Sequence, residues 1–158
     1  MVLRAPAALP DHALPENWRA SARLGGSPGA DDLISFVTWA AEYPGLGGPG
    51  ADDDGDGYVN RLEYAFGGHP QQPGVPRLPE ADVLAQGQDR FLALTLVRRA
   101  DAEDLQYLPE MSVDLAEWKP LDVLVSRTLR PDGTATEVWR SSTAAAGEAR
   151  IFGRVRIP

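Results

Sequence analysis

Hydrophobic and polar positions change their period once along this chain. Between residues 31 and 43 the apolar positions recur at helical spacing. Leu33, Phe36, Val37 and Ala40 fall at i, i+3, i+4 and i+7, and Ile34 and Ala41 widen the stripe. The pattern predicts a helix over 31–43, opened by Asp31 or Asp32 and stopped at Pro44 and Gly45. Residues 59–66 predict a second, shorter helix with Val59, Leu62 and Phe66 on one side. Gly67 and Gly68 supply its left-handed cap, and Pro70 prevents its resumption. Trp39, on the first helix, is expected to pack between helix and sheet.

Beyond residue 80 the period drops to two. Strands are expected at 91–97, ended by Arg98 and Arg99, and at 107–113, 121–129, 134–140 and 151–157. Polar or Gly/Asp turns such as Pro131-Asp132-Gly133 separate them. In the last strand Ile151, Gly153, Val155 and Ile157 alternate with Phe152, Arg154 and Arg156, which gives one apolar and one polar-leaning face. With no helix between them, these strands predict an antiparallel sheet folded on itself as a small sandwich. The first thirty residues are rich in Pro, Gly and Ala and offer one short strand near 18–22.

The fold class expected is α+β: a helix, a loop whose Asp52, Asp54, Asp56, Tyr58, Asn60 and Glu63 stand in the ligand order of a calcium loop, and a short helix, followed by a small antiparallel β-sandwich-like domain. The chain divides into 1–30, a remnant of a preceding domain or a linker; 31–70, an EF-hand-like helix–loop–helix; 71–80, a proline-rich linker; and 81–158, the β-domain.

The densest chemistry lies between the two helical runs. Residues 52–63 read DDDGDGYVNRLE. Asp52, Asp54 and Asp56 occupy loop positions one, three and five, and Gly57 falls at six, where the chain must reverse. Tyr58 at seven offers its backbone carbonyl, Asn60 at nine a side-chain oxygen or a bridging water, and Glu63 at twelve a bidentate carboxylate. Hard oxygen donors in this number suit Ca²⁺ better than Mg²⁺, and no sulfur or imidazole stands near to attract a soft metal. Asp53, at position two, is expected to point outward. The first helix would end well before Asp52, so the motif is a loosened helix–loop–helix, and no second calcium loop exists to pair with it.

Composition narrows the classes. A hydrophobic fraction of 43% in 158 residues supports a packed core. The net charge of −8 disfavours nucleic acid and anionic membrane surfaces, and no run has the apolar length of a membrane span. The absence of cysteine excludes disulfides and thiolate chemistry. His12 and His69 each stand alone in Pro-containing loops, and Ser141-Ser142-Thr143 lacks a nucleophile elbow. Asp101, Glu103 and Asp104 read as a solvated turn, and Arg98-Arg99 as a strand end. Trp118 and Trp139 are the aromatic positions open to carbohydrate contact.

The segment ADDDGDGYVNRLEYAFGGHP resembles the "DPDGDG-x-x-N-x-x-EYA-x-G-x-x-P" signature near the C-termini of large secreted proteins of Planctomycetes and Verrucomicrobia. The later FLALTLVRRADAEDLQYLPEMSVDLAEW is similar to the companion pattern of those tails, a strand, a basic pair, a Tyr-containing strand and Ser-x-Asp-Leu-x-x-Trp. Together they cover about residues 31–158. Upstream, ENWRASARLGGSPGADD is similar to the closing edge of a lamin-tail-like β-domain, which places the start of this chain inside a preceding domain. Over the loop alone a dockerin is also similar, although dockerins carry two such repeats. The resemblance implies a non-catalytic, calcium-stabilised module of a larger extracellular or cell-surface protein, with a structural or attachment role. Its implied metal positions are Asp52, Asp54, Asp56, Asn60, Glu63 and the carbonyl of Tyr58. Its implied partners are a calcium ion, the rest of a larger polypeptide, and a polysaccharide or cell-surface protein, without nucleic acid or membrane insertion. The alternative is an adhesion module that binds carbohydrate or protein through exposed aromatics.

Overall fold

Antiparallel strand pairing dominates the molecule. The computed structural model describes residues 1–27, 32–145 and 150–158. Two very short strands, β1 (Val2–Leu3) and β2 (Trp18–Arg19), pair near the N-terminus. Two short helices follow, α1 (Phe36–Ala40) and α2 (Asn60–Phe66). The strands β3 (Glu80–Gln86), β4 (Asp89–Arg99), β5 (Leu108–Ser112), β6 (Lys119–Pro120), β7 (Val123–Leu129), β8 (Thr134–Arg140) and β9 (Phe152–Arg156) form two sheets. One has the order β3-β4-β8-β7 and the other β6-β5-β9, and every pairing in both is antiparallel.

The two sheets meet through Leu92, Leu94 and Leu121, against which Met111, Trp139, Ile151 and Val155 pack. Alternation sets this contact. Leu94 pairs with Trp139 across β4 and β8, so both side chains leave the sheet on one face. On β9 the inward positions are those expected, because a methyl at Gly153 would sit 2.7 Å from Leu94 Cδ2. Glycine lets the two backbones approach there. The outward positions Arg154 and Arg156 instead flank Glu110 of β5, at 2.8 and 3.1 Å.

Four of the five expected strands recur with shifted ends, and 134–140 recurs with its bounds unchanged. β3 was not anticipated. Its sequence, EADVLAQ, shows no alternation because nearly all of it faces solvent on an edge. It forms because the two-residue turn Gly87-Gln88 folds it back onto β4, with Gly87 at φ +66°. Arg98 and Arg99 lie within β4 and pair with Ala135 and Thr134.

The first helix is much shorter than its periodicity predicts. It begins at Ser35, whose hydroxyl accepts from Thr38 N at 3.3 Å, not at Asp32. Asp31 lies outside the described residues. Ile34 is extended and bridges Ala102 in parallel, with Ile34 N donating to Asp101 O at 2.8 Å and Glu103 N donating to Ile34 O at 3.0 Å. A β-branched residue with a strand partner at hand has little reason to stay helical. Val37, counted in the apolar stripe, is 76% exposed. Trp39 packs against Ile34 and Tyr64, with its ring 5.2 Å from that of Tyr64, so it fills the space between the two helices.

The turn 101–104 is not merely solvated. Asp101 is buried and accepts from Arg99 Nε at 2.7 Å. Asp104 accepts from Phe36 N at 2.8 Å and from the Tyr64 hydroxyl at 2.9 Å, which ties both helices to the sheet. Residues 71–79 have no regular structure but are anchored. Pro70 is fully buried ahead of them, and Arg77 pairs with Asp132 of the β7–β8 turn at 2.9 Å. No helix among the described residues is long and apolar enough to cross a membrane.

Candidate metal centre

The loop 52–59 turns tightly because its own carboxylates hold its amides. Asp52 accepts from Gly55 N at 2.9 Å and from Gly57 N at 3.0 Å, one bond to each oxygen. Asp54 accepts from Asp56 N at 3.2 Å, and Asp56 from Tyr58 N at 2.8 Å. Such bonds reproduce a backbone turn with a side chain. Gly57 takes φ +93°, in the left-handed region that a Cβ disfavours, as position six requires. The result gathers Asp52, Asp54 and Asp56, each offering one oxygen within 4.8 Å of the others.

The approach and exit segments close around this turn. Asn60 N donates to Ala51 O at 2.8 Å and Arg61 N to Pro49 O at 3.0 Å, so the first amides of α2 are satisfied by the chain that precedes the loop. Gly68 N donates to Glu63 O at 2.7 Å at the other end of α2. A methyl on Gly68 would lie 3.0 Å from Glu63 Cβ, so the exit segment packs directly on the glutamate. The helix buries Asn60, Glu63, Tyr64, Ala65 and Phe66, whereas Val59 and Leu62 are only half-buried. The polar residues at nine and twelve thus occupy the inward face that periodicity had given to apolar ones.

Electrostatics at the loop is one-sided. No arginine, lysine or histidine forms an ion pair with Asp52, Asp53, Asp54, Asp56 or Glu63 among the described residues. Glu63 is 2% exposed. Burial, and after it the charges of Asp54, Asp56, Asp52 and Asp53, push its carboxyl up to about 7. Three acceptor oxygens here are buried and receive no donor: Asp54 Oδ2, Asn60 Oδ1 and Glu63 Oε2. Buried acceptors without donors are rare in folded proteins and ask for an explanation, an ion among them.

The six expected residues therefore sit on one turn and the helix it enters, though not in one shell. The mutual cluster comprises Asp52, Asp54 and Asp56, and Glu63 and Asn60 add buried free oxygens from α2. Tyr58 is half-buried with its N–H spent on Asp56. Sequence reasoning missed the part played by Asp53. It accepts from Gly47 N at 2.9 Å and from the Asn60 side chain, and so locks the approach segment onto α2. Gly47 belongs to the same lock, since a methyl there would lie 2.7 Å from Ala51 Cβ and 3.0 Å from Asp53 Oδ2. Asp56 Oδ2 accepts from Gly74 N at 2.9 Å, a link between the loop and residues 71–79 that spacing alone does not reveal.

The other candidates do not converge. His12 stacks edge-on to Trp18 and His69 to Tyr43. One face of Trp118 is covered by Arg154, 3.9 Å from the ring centre, and Trp139 Nε1 donates to Glu137 at 2.9 Å. No protein-family model, curated protein or solved structure matches this chain.

Proposed function

We propose that this chain is a non-catalytic calcium-binding module of a larger extracellular protein, with a structural or attachment role. The observation that carries the reading is the set of three buried, donorless oxygens of Asp54, Asn60 and Glu63 beside the Asp52–Asp54–Asp56 carboxylates. A divalent cation suits such a set, because it takes many oxygens at once and cancels the crowded charge. Asp52, Asp54, Asp56 and Glu63 would supply carboxylates, Tyr58 its carbonyl, and Asn60 its oxygen, directly or through water. The mixed set of carboxylate, amide and carbonyl oxygens, on a turn stiffened by its own hydrogen bonds, fits Ca²⁺ in preference to Mg²⁺.

In this reading α1, the loop and α2 work as a loosened helix–loop–helix whose first helix stops at Ala40. The two facing sheets serve as a small sandwich that the metal joins to the helices. The joint runs through Asp56 to Gly74 and from Arg77 to Asp132. Binding to the folded form alone adds stability as RT ln(1 + [L]/Kd), about 1 kcal/mol or a few at millimolar Ca²⁺ for the affinities common in extracellular modules.

Calorimetric titration and thermal melts test the proposal. Ca²⁺ is expected to bind and raise the melting temperature, Mg²⁺ to do so far less, and Asp54→Ala to abolish the response. A chain that melts at the same temperature with millimolar Ca²⁺ and with chelator overturns it.

A further inference from the structure

A groove of about 670 Å³ opens between the segment 19–22 and the end of the β4–β8–β7 sheet that carries Arg98, Leu129 and Glu137, on the same face as Leu94 and Trp139. Its charged lining is Arg19, Arg98, Arg127 and Glu137, and Leu33 and Leu129 supply apolar walls. Three guanidinium groups in one groove are unexpected in a protein of net charge −8.

Their donors are unequally used. Arg98 is spent: Nε and Nη2 reach Glu137 at 3.0 and 2.8 Å, Nη1 donates to Arg99 O at 2.9 Å, and the group lies over the Tyr107 ring. Glu137 is spent as well, since its other oxygen accepts from Trp139 Nε1 at 2.9 Å. Arg127 touches this pair only through Nε, 3.4 Å from Glu137 Oε1, and its side chain is 41% exposed. Its two terminal amines donate to none of the described residues. Arg19 donates through Nη1 to Asp32 and to Ala20 O, while its Nε is buried with no partner among the described residues. Arg98 cancels Glu137 and Arg19 cancels Asp32, so Arg127 leaves one positive charge over a groove with apolar walls.

We propose that this groove binds a small organic carboxylate with an apolar body. The head group docks on the open fork of Arg127, whose parallel N–H donors match the two oxygens of a carboxylate. The body lies along Leu33 and Leu129, beside Arg19 in the wall of the groove. A cationic ligand is disfavoured by the same charge, and a neutral one leaves the Arg127 fork unmatched.

Hexanoate, hexanol and hexylammonium are the probes, titrated into the whole isotope-labelled chain with Ca²⁺ present and followed by NMR, including the arginine Nε–H signals. Hexanoate is expected to saturate with a dissociation constant of about millimolar, shifting Arg127 and Arg19, and to bind about tenfold more tightly than hexanol. Arg127→Gln is expected to weaken hexanoate about tenfold, the loss of a charge-assisted pair, whereas Arg90→Gln, the same charge change at an exposed position near the start of β4, leaves it unaltered. Arg127 is not the main partner of Glu137, so the variant should melt near the wild type. If it does not fold, the ranking of the three probes on the wild type decides. Equal binding of hexanoate and hexanol, equal loss in both variants, or no saturable shift overturns the proposal.

Discussion

Asn60 donates its side-chain amide to Asp53, and this bond determines what its oxygen can do. The same amide also donates to Gly48 O at 3.1 Å and lies 3.4 Å from Gly47 O. Three acceptors on one side fix the orientation of the carboxamide, so Oδ1 is turned away from them, buried and without a donor. Asn60 is at once the lock on the approach segment and a free oxygen for the candidate metal centre.

Calcium loops commonly tolerate aspartate at position nine, but at this candidate site Asn60→Asp should not be tolerated. Asn60→Asp replaces the donor with a carboxylate facing Asp53 and two carbonyls inside a buried site. The expected loss is about 2–4 kcal/mol in urea unfolding without metal, more than a simple change of ligand would give. Calcium should recover part of it. An unchanged urea midpoint would show that the amide bonds carry no weight.

Glu63 offers a prediction of opposite sign with and without metal. Its carboxyl is pushed up to about 7 by burial and by four neighbouring aspartates. In chelator at neutral pH, Glu63→Gln removes a buried charge among like charges and is expected to raise stability by about 1–3 kcal/mol. In calcium the same variant should be the less stable protein, because the position-twelve carboxylate is gone. Melting curves of both proteins in both media check the crossing. A variant that is less stable in both contradicts the assignment.

The contact between the sheets turns on Gly153 and Leu94. A methyl at Gly153 would fall 2.7 Å from Leu94 Cδ2 and 3.3 Å from Cγ. Gly153→Val should cost about 1–3 kcal/mol by overpacking. Adding Leu94→Ala should restore part of that, since the cavity it opens takes the new side chain. A double-mutant cycle measures this coupling, and strict additivity would place the two residues out of contact.

Asp32 makes the fold sensitive to acid. Burial by itself would raise its carboxyl, but the Ser21 hydroxyl, Ala22 N–H, Ser27 hydroxyl and Arg19 guanidinium together hold it well below its ordinary value of 3.8. A carboxylate depressed by folding adds stability above its unfolded value, and that stability drains away as pH falls below it toward the folded value. Asp32→Asn is therefore expected to cost about 1–3 kcal/mol at neutral pH, with the gap to wild type narrowing in acid below about pH 4. Urea midpoints across that range check the slope. A gap that is constant with pH would mean the carboxylate's charge is not what holds the segment.

Much of the candidate site was legible in the order of its residues. Donor types at positions one, three, five, seven, nine and twelve, with glycine at six, are a local code, because the turn is built from side chains bonding amides only two to five residues away. Asp53 is exposed and outside the Asp52–Asp54–Asp56 cluster, as expected, but its role as a lock was not legible because its partners, Gly47 and Asn60, come from outside that local geometry. The helix over 31–43 was overextended for a similar reason. Periodicity cannot register that Ile34 finds a strand-like partner in Ala102, far along the chain. The turn 101–104 was underrated because nothing nearby in sequence announces that Asp104 would hold Phe36 N and Tyr64.

By itself the sequence determined which segments alternate, where the chain must turn, and which oxygens crowd together, since all three follow from spacing and from φ preferences within a few residues. Only the tertiary structure decided which of those oxygens are buried without donors, which edge β3 occupies, and that three arginines share one groove. Those outcomes rest on contacts between distant residues, where burial and pairing outweigh local preference.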